Sequence, residues 1–301
     1  MCGMKRDLAL DYVVPFMSRI PTTLPWMVAG TVGVRENQGK QLVQWLTGVF
    51  STAFPQASHS EHKGWARAYF FMLAQEKIDA MAFDRLGRLG GPSLDVYGLE
   101  HVKELAGAGR GFILVLNHFD RLLAAPVALA RHGIKTNVLT MPVLDNPDLE
   151  SSQRNFLLKK IARYVGETGG RWHTTADGMR LVHESLRRGE GWVILADAWR
   201  PEFGRLREHR FLGGVLSLPT GIERLAQSTG ASLLHAATYT QTPNRLQVVV
   251  EPLPENPKQA IDAVIRRLDK DVQERPWAWW HWGLWNQMWR PAPQEEHLVQ
   301  P

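Results

Sequence analysis

His118 and Asp197 each stand just past an unbroken apolar run. Phe112-Ile113-Leu114-Val115-Leu116 leads into Asn117-His118, and Trp192-Val193-Ile194-Leu195-Ala196 leads directly into Asp197. A histidine so placed can take a proton from a hydroxyl or amine nucleophile, because a neutral imidazole titrates near working pH. It needs a carboxylate to fix its tautomer and to steady the imidazolium that forms. Two carboxylates answer that need. Asp120 follows closely, at the expected start of the next helix, where its other reading is an N-cap. Asp197 is remote in sequence, and its other reading is an ion pair with Arg200. His118 also has an alternative, a hydrogen-bonded histidine of the core.

The elements that must position these residues can be read from periodicity. Short apolar runs bounded by Gly and polar residues predict strands buried on both faces at 112–116 and 192–196, with further strands at 94–97, 136–141, 232–239 and 246–250. Between them lie helical patterns: a polar helix near 100–105, an Ala-rich segment over 122–131, helices at 153–165 and from Asp177 to Arg188, and another over 219–228. A late helix begins at Asn256-Pro257 and carries Ile261, Val264, Ile265, Leu268 and Val272 on its buried stripe. Strands alternating with helices predict an α/β fold, a mostly parallel central sheet flanked by helices. Such sheets bind ligands at the carboxyl ends of their strands, where His118 and Asp197 fall. Residues 1–90 read as a helical N-terminal lobe and 91–301 as the α/β core, in what is expected to be one continuous domain.

Composition narrows the function classes. The 301 residues are 44% hydrophobic and 22% charged with one cysteine, Cys2, so the chain can bury a sizeable core and has no disulfide framework. The net charge of +5 favours an acidic partner, yet basic and acidic residues are interspersed, which gives nucleic-acid binding little support. The stretch from Val13 to Val34 contains Arg19 and three prolines and is not expected to span a bilayer; residues 8–34 read as helical and pack on the main domain or lie on a membrane surface. No secretory signal is read at the start. His59 and His62 read as part of a solvated polar break and not as metal ligands, and no metal site is expected. Six of the twelve tryptophans crowd between Trp277 and Trp289, with Trp282, Trp285 and Trp289 at the spacing of one helical stripe. Core packing is one account of them; an acyl tunnel or a bilayer interface is the other.

Several ordered blocks carry a family resemblance. Arg110-Gly111-Phe112 through His118-Phe119 resembles the strand-and-histidine block of the late lipid A acyltransferases, the lauroyl and myristoyl transferases within the glycerolipid acyltransferase superfamily. Leu186-Arg187-Arg188-Gly189 through Asp197 is similar to that family's helix, Gly, strand and Asp block. Arg210 to Gly214, Pro219-Thr220-Gly221 and the ending Pro276-Trp277-Ala278-Trp279-Trp280-His281-Trp282 resemble later elements, and Phe54-Pro55-Gln56-Ala57-Ser58 an early one.

The resemblance implies an acyltransferase that passes an acyl group from an acyl carrier protein or coenzyme A thioester to a hydroxyl of a lipid or glycolipid. His118 deprotonates the acceptor, which attacks the thioester directly, with Asp197 or Asp120 as partner. No cofactor is expected beyond the thioester substrate. The stretch from Trp199 to Arg210 reads as an Arg-rich loop whose Arg200, Arg205 and Arg210, with Arg121, suit the phosphates of a lipid headgroup or of the acyl donor, its other reading being a solvated loop balanced by Glu202 and Glu208. The acyl chain is assigned to Trp282, Trp285 and Phe119, and the protein to the cytoplasm or the periphery of the inner membrane. One departure bears on mechanism: the family's histidine is normally followed, after four residues, by Asp or Glu, and here that position is Leu123. The alternatives are the same chemistry on a soluble amine or natural-product intermediate, and a catalytically inactive binding subunit of a biosynthetic complex.

Overall fold

The computed structural model describes residues 7–292, which leaves Cys2 outside. Helices α1 (Val14–Met17), α2 (Leu24–Gly39), α3 (Leu42–Ala53) and α4 (His59–Met81) come first. The α/β part follows as β1 (Ser93–Tyr97), α5 (Leu99–Gly107), β2 (Phe112–Leu116), α6 (Ala124–Arg131), β3 (Thr136–Thr140), α7 (Ser151–Thr168), β4 (Trp172–Thr174), α8 (Arg180–Arg187) and β5 (Gly191–Leu195). Then come β6 (Leu206–Phe211), β7 (Gly214–Pro219), α9 (Gly221–Thr229), β8 (Ser232–Thr242), β9 (Arg245–Pro252), α10 (Pro257–Glu274), α11 (Trp285–Met288) and β10 (Trp289–Pro291).

The central sheet has seven strands in the order β1-β9-β8-β2-β5-β3-β4, and all its pairings are parallel except β8 with β9. Strand β2 lies between β8 and β5, and its five residues are all buried. That explains its uninterrupted apolar run, since helices cover both faces of a parallel sheet. The register pairs Leu116 with Leu195, so His118 and Asp197 each leave the sheet two residues beyond a matched pair.

Local signals account for several boundaries. Ser58 and Glu61 form a reciprocal capping box that starts α4, and Asn256 caps α10 with Pro257 in its first turn. The apolar stripe of α10 is buried as its spacing requires. The N-terminal helices share a core with the sheet: Val43, Leu46, Phe50 and Phe70 pack in the cluster that contains Ile113, Val115 and Ile194.

Four local expectations are corrected. The Arg-rich segment after Asp197 is not all loop, because β6 and β7 form a hairpin that pairs with β10 in a second, three-stranded sheet. His209 and Phe211 alternate inward there, a pattern hidden by intervening charges. Helix α8 does not begin at Asp177, which closes a turn by accepting from the Thr174 nitrogen and hydroxyl; it begins at Arg180. His62 is buried, its Nε2 on the Phe54 carbonyl, and not solvated. Trp282, Trp285 and Trp289 share no helix, for the chain kinks between 283 and 285 and turns extended at Trp289.

Candidate active site

The site is built at the carboxyl edge where β2 and β5 run side by side. Asp197 is fully buried and receives hydrogen bonds from three directions. The His118 backbone nitrogen donates to Oδ1 and Oδ2 at 2.9 and 3.0 Å, the Trp279 indole donates to Oδ2 at 3.0 Å, and His118 Nδ1 lies 2.9 Å from Oδ1. Burial by itself would raise the Asp197 carboxyl, but the charge and hydrogen bonds of His118, with His281 adding to them, hold it down at about 2. The group is therefore a carboxylate at neutral pH, and an ionised carboxylate only accepts hydrogen bonds. That places the His118 ring proton on Nδ1 and leaves Nε2 with its lone pair.

His118 also lines a cavity of about 780 Å³. Apolar side chains make most of its wall: Leu139 near the end of β3 and Met141 just past it, Met179 before α8, Ile194 and Leu195 at the end of β5, and Ile222 and Leu225 on α9. Arg205 and Arg224 are the guanidinium groups among its lining residues. A volume of that order with two imidazoles, His118 and His183, two guanidinium groups and an apolar wall suits an amphipathic ligand with a charged end. A carboxylate-steadied histidine thus stands at a strand edge with an apolar cavity beside it. The family model described as bacterial lipid A biosynthesis acyltransferase matches residues 20–287. The chain belongs to that family. It is an acyltransferase, in agreement with the resemblance of its sequence blocks. No curated protein matches the chain.

The acyltransferase's remaining candidate residues are distributed otherwise than the sequence suggests. Asp120 does not approach the His118 ring. It has a left-handed backbone (φ 49°), which Asp tolerates better than most residues, and its buried carboxylate accepts from the Thr240 nitrogen at 2.7 Å and the Thr240 hydroxyl at 2.6 Å. Nor does it cap α6, whose preceding residue is Leu123. Arg121 is corrected as a phosphate ligand: its guanidinium is buried and held by two bonds to Asp79, with a third to the Pro243 carbonyl. A buried cation must be paired, and Asp79, which also accepts from Trp26, supplies the charge.

Of the three remaining arginines, only Arg205 lines the cavity. Arg200 is half-buried in the turn after β5, and Arg210 lies exposed on β6. Trp282 and Trp285 are corrected as acyl-pocket residues, because they bury one another with Trp279, Phe50 and Phe54 at ring spacings of 5.0 to 6.2 Å. Phe119 packs on Tyr239 and does not line the large cavity.

One residue at the site is not singled out by the sequence. His281, inside the aromatic ending, brings its Nε2 to 2.9 Å from His118 Nδ1 and 3.8 Å from Asp197 Oδ2. The only sequence signal is a lone polar residue among tryptophans. His118, Asp197 and His281 also have the composition of a metal site, with ligand atoms within 4.8 Å of one another. The 2.9 Å contacts at Nδ1 are hydrogen-bond lengths, and hydrogen bonding alone accounts for them.

Proposed function

We propose that this acyltransferase moves an acyl group directly from an acyl carrier protein or coenzyme A thioester to a hydroxyl of a lipid or glycolipid, with His118 as general base and Asp197 as its orienting carboxylate. The observation that carries the reading is the 2.9 Å contact between His118 Nδ1 and a buried, ionised Asp197, beside a cavity that His118 itself lines. The acceptor hydroxyl gives its proton to His118 Nε2 as its oxygen bonds to the thioester carbon. The tetrahedral adduct then collapses, the C–S bond breaks, and the imidazolium returns that proton to the leaving sulfur. No acyl-enzyme is required. The apolar cavity wall is suited to the acyl chain, and Arg205 and Arg224 to the phosphates of the donor arm or of the acceptor headgroup.

Leu123 motivates the inactive-subunit alternative, and the geometry weakens that motive. The acid absent at position 123 is supplied by Asp197 from the neighbouring strand. Replacing His118 with Ala tests the reading: thioester consumption by the purified protein, with an acceptor panel, is expected to fall about 10²- to 10⁴-fold, and unchanged turnover would sink it.

A membrane-surface location belongs to the same proposal. Among the described residues, no helix is long and apolar enough to cross a membrane. Helix α2 buries Trp26, Gly30 and Gly33 against the protein and turns Leu24, Met27, Val28 and Val32 outward, 37 to 54% exposed. Leu8, Tyr12, Val13 and Phe16 extend the exposed apolar surface, and Arg19 and Arg35 are exposed within the same stretch. Apolar side chains with nearby cations suit docking in the plane of an anionic bilayer, where a lipid acceptor resides.

A further inference from the structure

His281 lies against the His118–Asp197 pair and has no part in the mechanism above. It is delivered by the C-terminal aromatic segment, which is zipped against the loop after β2. The Asp120 nitrogen donates to the Ala278 carbonyl at 2.7 Å, the Trp280 nitrogen donates to the His118 carbonyl at 2.8 Å, and Phe119 and Trp279 form an antiparallel bridge. Two side chains of this segment then reach the pair. Trp279 donates to Asp197 Oδ2, and the His281 ring lies 4.2 Å from the His118 ring, centroid to centroid, at 57°.

Proton counting at one nitrogen limits what His281 can be. His118 Nδ1 has two neighbours at 2.9 Å, Asp197 Oδ1 and His281 Nε2. An unprotonated Nδ1 would set its lone pair against the carboxylate's, so Nδ1 carries the hydrogen. A protonated His281 Nε2 would then oppose N–H to N–H. Both neighbours must accept, which requires a neutral His281 with its own proton on Nδ1. Burial favours this state: it pushes the His281 imidazole down to about 4, with His118 lowering it further and Asp197 pulling the other way.

We propose that His281 is a positioning residue, whose Nε2 shares the His118 Nδ1 proton with Asp197 and so fixes the orientation of the ring, in the tautomer Asp197 sets, with Nε2 free for the acceptor. Two acceptors on one N–H define the ring's orientation more tightly than one, and they share the positive charge when the ring becomes imidazolium. The inference rests on His118 being the base.

The test uses the full-length protein with ¹⁵N-labelled histidine, as wild type, His281→Phe and His281→Gln. Wild type and His281→Phe are both expected to show His118 protonated at Nδ1 in their ¹⁵N shifts, with the Nδ1 proton resonance moved in His281→Phe, which has lost one of its two acceptors. With a long-chain thioester, His281→Phe is expected to lower kcat about 10- to 100-fold with KM changed less than about twofold, and His281→Gln, whose amide oxygen can accept, to restore most of it. An unmoved His118 Nδ1 proton resonance in His281→Phe, or a moved resonance with unchanged kcat, overturns the proposal. Equal losses in both variants together with a lowered Tm also overturn it, in favour of packing. The ring shifts are read without turnover, so a failure of the acyl-transfer reading, signalled by an active His118→Ala, remains distinguishable.

Discussion

Asp197 binds His118 twice, at the ring nitrogen and at the backbone nitrogen, through a carboxylate that is itself fully buried. The backbone bond fixes where the histidine begins, and the side-chain bond fixes how its ring turns. Holding this carboxyl at about 2, against an ordinary 3.8, is worth about 2 kcal/mol of stability at neutral pH. Because the folded-state value lies below the unfolded one, the contribution is present above about pH 4 and is lost as pH falls toward 2. Unfolding free energies measured across that interval should fall more steeply for wild type than for Asp197→Asn. The same variant should lower kcat/KM about 10²- to 10⁴-fold. Superimposable pH curves would contradict the ion-pair account.

Asp120 provides the internal comparison. Asp120→Asn keeps a side-chain acceptor for Thr240 and a residue type that tolerates the left-handed backbone. Denaturant titration should show a loss of about 1 kcal/mol, with kcat changed less than about twofold. A tenfold drop in turnover without unfolding would restore Asp120 to the mechanism.

The cavity wall should set which acyl chains are accepted. Met179 is half-buried and lines it, so Met179→Trp shortens the available space without emptying the core. Competing thioesters of graded chain length should show preference moving toward short chains, with the ratio of kcat/KM between long and short donors falling about tenfold or more. A parallel loss for all lengths would place the acyl chain elsewhere.

The outward face of α2 can be tested without an activity assay. Met27→Glu combined with Val32→Glu puts charge on exposed positions, so Tm should shift by no more than a few degrees, about the effect of surface substitutions. Wild type is expected to sediment with anionic phospholipid vesicles and the double variant to stay in the supernatant. Wild type that fails to sediment removes the membrane-surface reading.

The sequence by itself determined the chemistry-bearing strand ends. A run such as Phe112 to Leu116 has no polar face, so it must lie in a sheet covered on both sides, and His118 must then emerge at its carboxyl edge. The α/β class and the late amphipathic helix follow from periodicity in the same way. Strand order was not legible. Whether Asp197 or Asp120 meets the histidine depends on β5 pairing with β2 in the register Leu116 to Leu195, a contact between residues 79 apart that leaves no local trace.

Burial was not legible either at the charged positions. Arg121 and Arg205 are the same residue type, and only packing makes one a buried partner of Asp79 and the other part of a cavity wall. The tryptophan cluster illustrates the same limit. Its crowding was visible and its core-packing account correct for Trp282 and Trp285, but the helical stripe was not, because their edge-to-face and tilted contacts form across kinks in the chain. His281 reached the His118–Asp197 pair because Ala278 and Trp280 hydrogen-bond to the loop that carries His118. Local sequence fixes which backbone a segment prefers. Long-range hydrogen bonds and close packing decide which side chains meet.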